Sequence, residues 1–110
     1  MEKPDAIAAL SALAHDLRLD IFRHLTRAGA AGAPAGDIAR ALDIRPNTLS
    51  NNLTVLSAAG LVRARREGRS VRYFAELDRM RALLGFLLED CCGGAPSRCQ
   101  PFLAEFAQTD

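Results

Sequence analysis

Three cysteines lie close together near the end of the chain, and their side chains are well suited to binding a soft ligand. Cys91 and Cys92 are adjacent, and Cys99 follows after a segment with two glycines that could let it fold back. Soft thiolates select soft acceptors, and three sulfurs suit the pyramidal geometry of trivalent arsenic or antimony. We therefore predict an As(III) or Sb(III) site formed by Cys91, Cys92 and Cys99.

Other interpretations of this cysteine cluster stay open. Cys91 continues an apolar helical stripe and could be an ordinary buried thiol. A disulfide from Cys92 to Cys91 or to Cys99 could act as a redox switch, although a bond between adjacent residues is strained. Zinc with four ligands would need His or Glu from a second subunit. The two histidines, His15 and His24, are interpreted as surface or helix-packing residues.

Positive charge is concentrated in the middle of the chain. Residues 45–72 contain six arginines and one glutamate, so this segment carries a net charge of +5 although the whole chain carries only +1. A solvated charged surface is the ordinary explanation for arginine clusters. Here the cluster surrounds a predicted turn motif and a predicted hairpin, which favours a polyanionic partner such as double-stranded DNA.

Two groups of side chains in this segment are candidates for DNA contact. Arginine and asparagine can each bind a base edge through two hydrogen bonds, and short hydroxyl side chains reach phosphate or base. The candidate contacts of the helix that follows the turn are Arg45, Asn47, Thr48, Ser50, Asn51 and Asn52. As an alternative, Asn47 and Thr48 could simply cap that helix.

The hairpin supplies the second group of candidates. Its arginines are suited to phosphates or the minor groove, where they contribute affinity and salt dependence. They are Arg65, Arg66, Arg69 and Arg72, with Arg66 and Arg69 nearest the tip.

Hydrophobic periodicity predicts the elements that position these residues. Ile7, Leu10 and Ala14 indicate a helix over residues 5–14. A second helical stripe runs from Leu17 to Ala28, and the two helices are joined at His15-Asp16. A small-residue connector that could include a short strand spans residues 29–36. The remaining predictions are helices at 37–42 and 46–59, a hairpin of 61–66 with 71–75, a long helix at 77–91 and a short closing helix near 102–107.

The order of these elements predicts a mainly α fold with a small β-hairpin, a winged helix-turn-helix. We expect a single domain over residues 1–110, with a helix-turn-helix and wing core at 5–76 and a dimerisation helix with the cysteine segment at 77–110. The helix at 77–91 is apolar on more than one face, which predicts a homodimer through the first and last helices. No catalytic motif, membrane span or leader peptide is found, so we expect a cytoplasmic protein that is not an enzyme.

Several runs of residues resemble the ArsR/SmtB family of metal-responsive repressors. Residues 10–25 (LSALAHDLRLDIFRHL) are similar to the start of that family, residues 37–62 (DIARALDIRPNTLSNNLTVLSAAGLV) to its helix-turn-helix, and residues 65–73 to its wing. The resemblance spans about residues 6–88. It implies a repressor that an effector releases from its operator, and several arsenic-sensing members bind the metalloid through cysteines at different points of the fold.

The chain departs from this family pattern at two places. Family members often have histidine where Asn52 stands here. The Cys-x-Cys pair that better-known arsenic sensors carry in the third helix is replaced by Asp37-Ile38-Ala39-Arg40. An arsenic site in this chain would therefore rest on the C-terminal cysteines.

Overall fold

The structure is a computed structural model that describes residues 1–89. Its elements in chain order are α1 (Lys3–Leu13), α2 (Asp16–Ala28), a 3₁₀ turn (Gly29–Ala31), β1 (Ala33–Pro34), α3 (Ala35–Leu42), α4 (Pro46–Ala58), β2 (Val62–Glu67), β3 (Ser70–Ala75) and α5 (Leu77–Leu88). This architecture confirms the predicted winged helix-turn-helix. The three cysteines and the predicted closing helix lie outside the described residues, and the single-domain organisation stays a prediction.

Helix α1 forms where the sequence predicts it, but it buries a different face. Pro4 lies in its first turn, and Asp5 accepts a hydrogen bond from the backbone N–H of Glu2 at 3.0 Å, which stabilises the helix start. The buried residues are Ala6, Ala9 and Ala12. The large side chains are left outside, since Ile7 is 56% and Leu10 43% exposed. The predicted apolar stripe through Ile7 and Leu10 is therefore the exposed face, because small alanines allow closer helix packing.

Helices α3 and α4 form the helix-turn-helix. Asp43 ends α3 in a left-handed conformation (φ 53°), which turns the chain sharply. Pro46 then occupies the first turn of α4, where its missing N–H costs nothing. Leu49, Leu53 and Leu56 are buried at helical spacing, as predicted. Helix α4 is the element that a helix-turn-helix places in the major groove, and we call it the recognition helix.

The wing is the hairpin of β2 and β3, which pair antiparallel with Ala64 opposite Tyr73 and Arg65 opposite Arg72. The connector contributes β1 on the other side of β3, with Ala33 opposite Tyr73. Gly32 precedes β1 with φ 62° and ψ −163°, a conformation essentially restricted to glycine. A Cβ there would lie 2.5 Å from the Tyr73 carbonyl oxygen, so the wing packs directly on this backbone.

Helix α5 packs on the core through Leu83, which is 2% exposed. Arg79 attaches the first half of α5 to the rest of the fold. Its Nε donates a hydrogen bond to the Ala59 carbonyl at 3.2 Å, and its guanidinium pairs with Asp5 of α1 at 3.7 Å. Leu84 and Leu87 remain 43% and 51% exposed. Within residues 1–89, no helix combines the length and the apolar character that a membrane span requires.

Candidate nucleic-acid interface

The recognition helix presents a polar face at its N-terminal end. Leu49 and Leu53 are buried and fix one side of the helix, so the opposite side faces outward. Asn47, Thr48, Ser50 and Asn51 are all exposed there, as is Arg45 just before the helix. These positions match the part of a recognition helix that meets base edges.

The capping alternative for Asn47 and Thr48 finds no support in the contacts. Neither side chain makes a hydrogen bond to another group within residues 1–89, and the N-cap residue Arg45 makes no side-chain cap bond. Their amide and hydroxyl groups are thus available to a ligand that approaches the helix.

Asn52 differs from the other candidates because its amide is already engaged. Its side chain is half-buried, with Oδ1 accepting a hydrogen bond from Arg18 Nη1 at 3.3 Å. Its Nδ2 donates to the carbonyl of Thr48 at 2.8 Å. The structure therefore directs Asn52 toward α2, away from the exposed polar face. Sequence reasoning missed Arg18, because the two residues are 34 positions apart and no local pattern links them.

Two of the wing arginines are held by one carboxylate. Glu67 accepts a hydrogen bond from Arg65 Nη2 at 2.6 Å and from Arg72 Nε at 3.0 Å. These hydrogen bonds, from Arg65 first and Arg72 second, lower the pKa of Glu67 below its ordinary value. Arg72 also donates to the Ala31 carbonyl at 3.0 Å and is half-buried. Arg72 lies opposite Arg65 on the neighbouring strand and beside Glu67, so this predicted DNA contact is already partly engaged within the protein.

An aromatic ring organises the base of the wing. The guanidinium of Arg63 lies 4.2 Å and that of Arg65 4.9 Å from the centroid of Phe74, distances typical of cation–π contacts. Arg63 also donates to Glu76 at 3.0 Å. Sequence reasoning did not single out Arg63 or Phe74. The signal was available in the strand alternation, which places Arg63 and Arg65 on the same face.

The wing-tip arginines differ from Arg65 and Arg72 in their ionic contacts. Arg66 and Arg69 are exposed, and among residues 1–89 no carboxylate lies within ion-pair distance of either one. Arg69 and Ser70 of the wing border a groove of about 350 Å³ whose other wall is the recognition helix, including Pro46 and Ser50. The fold thus brings one residue of each predicted group, Ser50 of the recognition helix and Arg69 of the wing, to the same groove.

The described part of the chain contains no cluster of side chains suited to a metal ion. Within residues 1–89, no group of three or more His, Cys, Asp or Glu residues is placed to hold a metal ion. His15 has a structural role, because its Nδ1 accepts the backbone N–H of Arg18 and caps α2. The metalloid site predicted at Cys91, Cys92 and Cys99 lies outside the described residues and stays a prediction.

Comparison with known proteins agrees with this geometry. The helix-turn-helix domain family matches residues 13–65. An ArsR-like transcriptional regulator from Rhodococcus sp. RHA1 is 25% identical, with 96% of this chain and 92% of that chain covered and a TM-score of 0.68. Reduced HlyU from Vibrio cholerae N16961 is 25% identical, with 81% and 90% covered and a TM-score of 0.60. No curated protein sequence gave a significant match.

A third similar structure decides the family. It is the homodimeric winged helix-turn-helix DNA-binding domain of a possible ArsR-family transcriptional regulator from Mycobacterium bovis, which is 31% identical, with 79% of this chain and 81% of that chain covered and a TM-score of 0.63. The fold and the polar helix beside a basic wing thus define a winged helix-turn-helix DNA-binding protein. The chain belongs to the ArsR family of transcriptional regulators. This family is not enzymatic, which confirms the expectation from the sequence.

Proposed function

We propose that the protein is a dimeric repressor that binds a near-palindromic operator and is released from it by trivalent arsenic bound to Cys91, Cys92 and Cys99. One observation carries the DNA-binding part of this proposal. Ser50, at the exposed polar end of the recognition helix, and the wing-tip residue Arg69 border the same groove. With the recognition helix in a major groove, its polar side chains would meet base edges while Arg69 would meet the neighbouring sugar-phosphate backbone.

The proposed dimer is inferred from apolar side chains that are exposed in the single chain. Ile7 and Leu10 of α1 and Leu84 and Leu87 of α5 are each between 43% and 56% exposed. Helices α1 and α5 are in contact, so these residues belong to neighbouring elements. A second copy of the chain would bury them, and the similar domain from Mycobacterium bovis is described as homodimeric. Two recognition helices could then reach successive major grooves, about 34 Å apart.

The effector part of the proposal rests on the chemistry of the three thiols. Cys91 and Cys92 follow closely after α5, whose exposed leucines belong to the proposed dimer surface. A sulfur–metalloid site at this position need not touch DNA in order to control it, because it could change the relative placement of the two subunits. Such coupling between two sites is typically about 1 to 3 kcal/mol, or roughly 5- to 150-fold in affinity. A regulator of this kind acts where the chromosome is, so the proposal includes a cytoplasmic location.

A thiol redox switch is the second candidate function. One similar structure is described as that of reduced HlyU, so the redox state of that protein is part of its description. Oxidation of Cys92 with Cys91 or Cys99 would constrain the same segment as a metalloid would. Zinc is a weaker alternative, because three thiolates would still need a fourth ligand such as His or Glu from a second subunit.

The experiment that tests the proposal uses the reduced full-length protein and the DNA upstream of its own gene. Fluorescence anisotropy of labelled DNA would first measure the Kd for this fragment and for a random fragment of equal length. Arsenite, antimonite, zinc and peroxide would then be titrated into the complex separately. The proposal expects preferential binding and release by arsenite or antimonite. Release by peroxide alone would favour the redox switch, and equal binding to both DNA fragments would contradict operator recognition.

A further inference from the structure

Arg18 lies at a junction of three helices. It is the third residue of α2, and its half-buried side chain extends toward two other elements. Nε donates to the carbonyl of Ala12 in the last turn of α1 at 2.7 Å. Nη1 donates to Oδ1 of Asn52 in the recognition helix at 3.3 Å. One rigid guanidinium thus connects the end of α1 with the recognition helix.

The hydrogen bond from Arg18 to the Ala12 carbonyl stabilises the C-terminal end of α1. The last four carbonyls of a helix have no partner within the helix, and a cation beside them also opposes the negative end of the helix dipole. The Ala12 carbonyl is one of these groups, so Arg18 is held firmly at α1. Arginine is suited to such a junction, because its planar group presents several donors in fixed directions and keeps its charge.

Asn52 completes the connection on the other side. With Oδ1 on Arg18 and Nδ2 on the Thr48 carbonyl, its amide orientation is fixed from both ends. Thr48 belongs to the exposed polar end of the recognition helix. The connection therefore runs from α1, which carries Ile7 and Leu10 of the proposed dimer surface, to the part of the protein that faces DNA.

We propose that Arg18 is a positioning residue that holds the recognition helix against α1 through Asn52, and that Asn52 affects DNA binding through this connection instead of by touching a base. The inference rests on the proposed operator binding. It assigns to Asn52 a role unlike that of Asn47 and Asn51, whose side chains face outward. It also provides a direct physical route by which a change at the dimer surface reaches the recognition helix.

A double-mutant cycle on operator affinity tests the connection. The variants are Arg18→Gln, Asn52→Ala and the double variant, with Arg23→Gln as the matched control, since Arg23 is an exposed arginine of the same helix. We expect each single variant of the pair to weaken operator binding by about 10-fold and the double variant to be no weaker than the singles. Arg23→Gln should change the Kd less than either. Multiplicative losses in the double variant would overturn the proposal.

A second measurement separates positioning from base contact. Operator variants with one altered base pair each would be bound to the wild type and to Asn52→Ala. Positioning predicts that Asn52→Ala reduces discrimination at several base pairs, and loss at a single base pair would overturn the proposal in favour of direct contact.

Backbone amide NMR of the DNA-free protein adds a readout that does not need DNA. Asn52→Ala and Arg18→Gln should shift the same amide signals around Thr48 and Asn51, whereas Arg23→Gln should leave them in place. Separate, non-overlapping sets of shifted signals would contradict the connection. If the wild type and Arg23→Gln both fail to prefer the operator, the proposed function fails, and these amide shifts still decide whether the connection exists.

Discussion

Arg72 donates a hydrogen bond from Nε to Oε1 of Glu67 at 3.0 Å, so the only carboxylate of the basic segment is engaged by an arginine of the wing itself. The same carboxylate also pairs with Arg65. Glu67 thereby fixes the shape of the wing and neutralises part of its positive charge. Among residues 1–89, the wing-tip residues Arg66 and Arg69 are the wing arginines without an acidic partner.

Replacing Glu67 by Gln should strengthen DNA binding without regard to sequence. The substitution removes a negative charge from the wing that we propose faces DNA, and it frees Arg65 for phosphate contact. We expect a steeper dependence of log Kd on log salt, with a change in slope of about 1. Anisotropy titrations at several salt concentrations, on operator and random DNA, would measure it. Glu76→Gln is the matched control, because Glu76 pairs with Arg63 at the base of the wing. An unchanged slope in Glu67→Gln would show that the wing does not lie on phosphates.

Substitutions of Asn51 and Arg69 should affect DNA binding differently, because we assign base reading to Asn51 and phosphate attraction to Arg69. Asn51 is exposed on the recognition helix, and its loss should reduce the preference for operator over random DNA by about 1 to 3 kcal/mol. Arg69→Ala should instead weaken binding to both DNA fragments and reduce the salt slope by about 1. The same salt-dependent titrations would measure both effects. Altered sequence preference with an unchanged slope in Arg69→Ala would contradict the assignment of the wing.

Gly32 should tolerate substitution far less well than Gly68, although both have φ 62°, because β3 packs closely against Gly32. A Cβ at Gly32 would lie 2.5 Å from the Tyr73 carbonyl oxygen and 2.6 Å from the Phe74 ring, whereas at Gly68 nothing lies within 4 Å. We expect Gly68→Ala to cost about 1 kcal/mol of unfolding free energy and Gly32→Ala about 2 to 4 kcal/mol. Urea denaturation followed by circular dichroism would give both values. Equal losses would mean that the packing of β3 on Gly32 is not as described.

The dimer surface predicts different outcomes for two exposed leucines. Leu87 of α5 is 51% exposed and belongs to the proposed interface, whereas Leu19 of α2 is 43% exposed and lies outside it. Leu87→Asp should shift the protein toward a folded monomer with much weaker operator binding, because a buried unpaired charge is costly. Leu19→Asp should remain dimeric. Sedimentation velocity at micromolar concentration distinguishes the two. A Leu87→Asp protein that remains a full dimer would place the interface elsewhere.

Much of the fold could be predicted because its signals are local. The leucine spacing of the recognition helix, Pro46 at its start and the alternating hairpin with Gly68 each act within a few residues. The buried face of α1 could not be predicted, because whether Ile7 or Ala6 points inward depends on how closely other helices approach. The same limit applies to the site. Ser50, Asn51 and Arg69 lie exposed as expected, whereas Arg18 beside Asn52 and the Ala31 carbonyl beside Arg72 come from distant parts of the chain.

Arsenite titration of two proteins tests most directly whether operator release depends on the C-terminal thiols. The wild type and a variant with Cys91, Cys92 and Cys99 all replaced by Ser would be bound to the operator under reducing conditions. We predict equal affinity without arsenite, and with arsenite a roughly 5- to 150-fold weaker Kd for the wild type only. Cys92→Ser alone should abolish the response, and Cys99→Ser should weaken it less. Release of the triple-serine variant by arsenite would contradict the account.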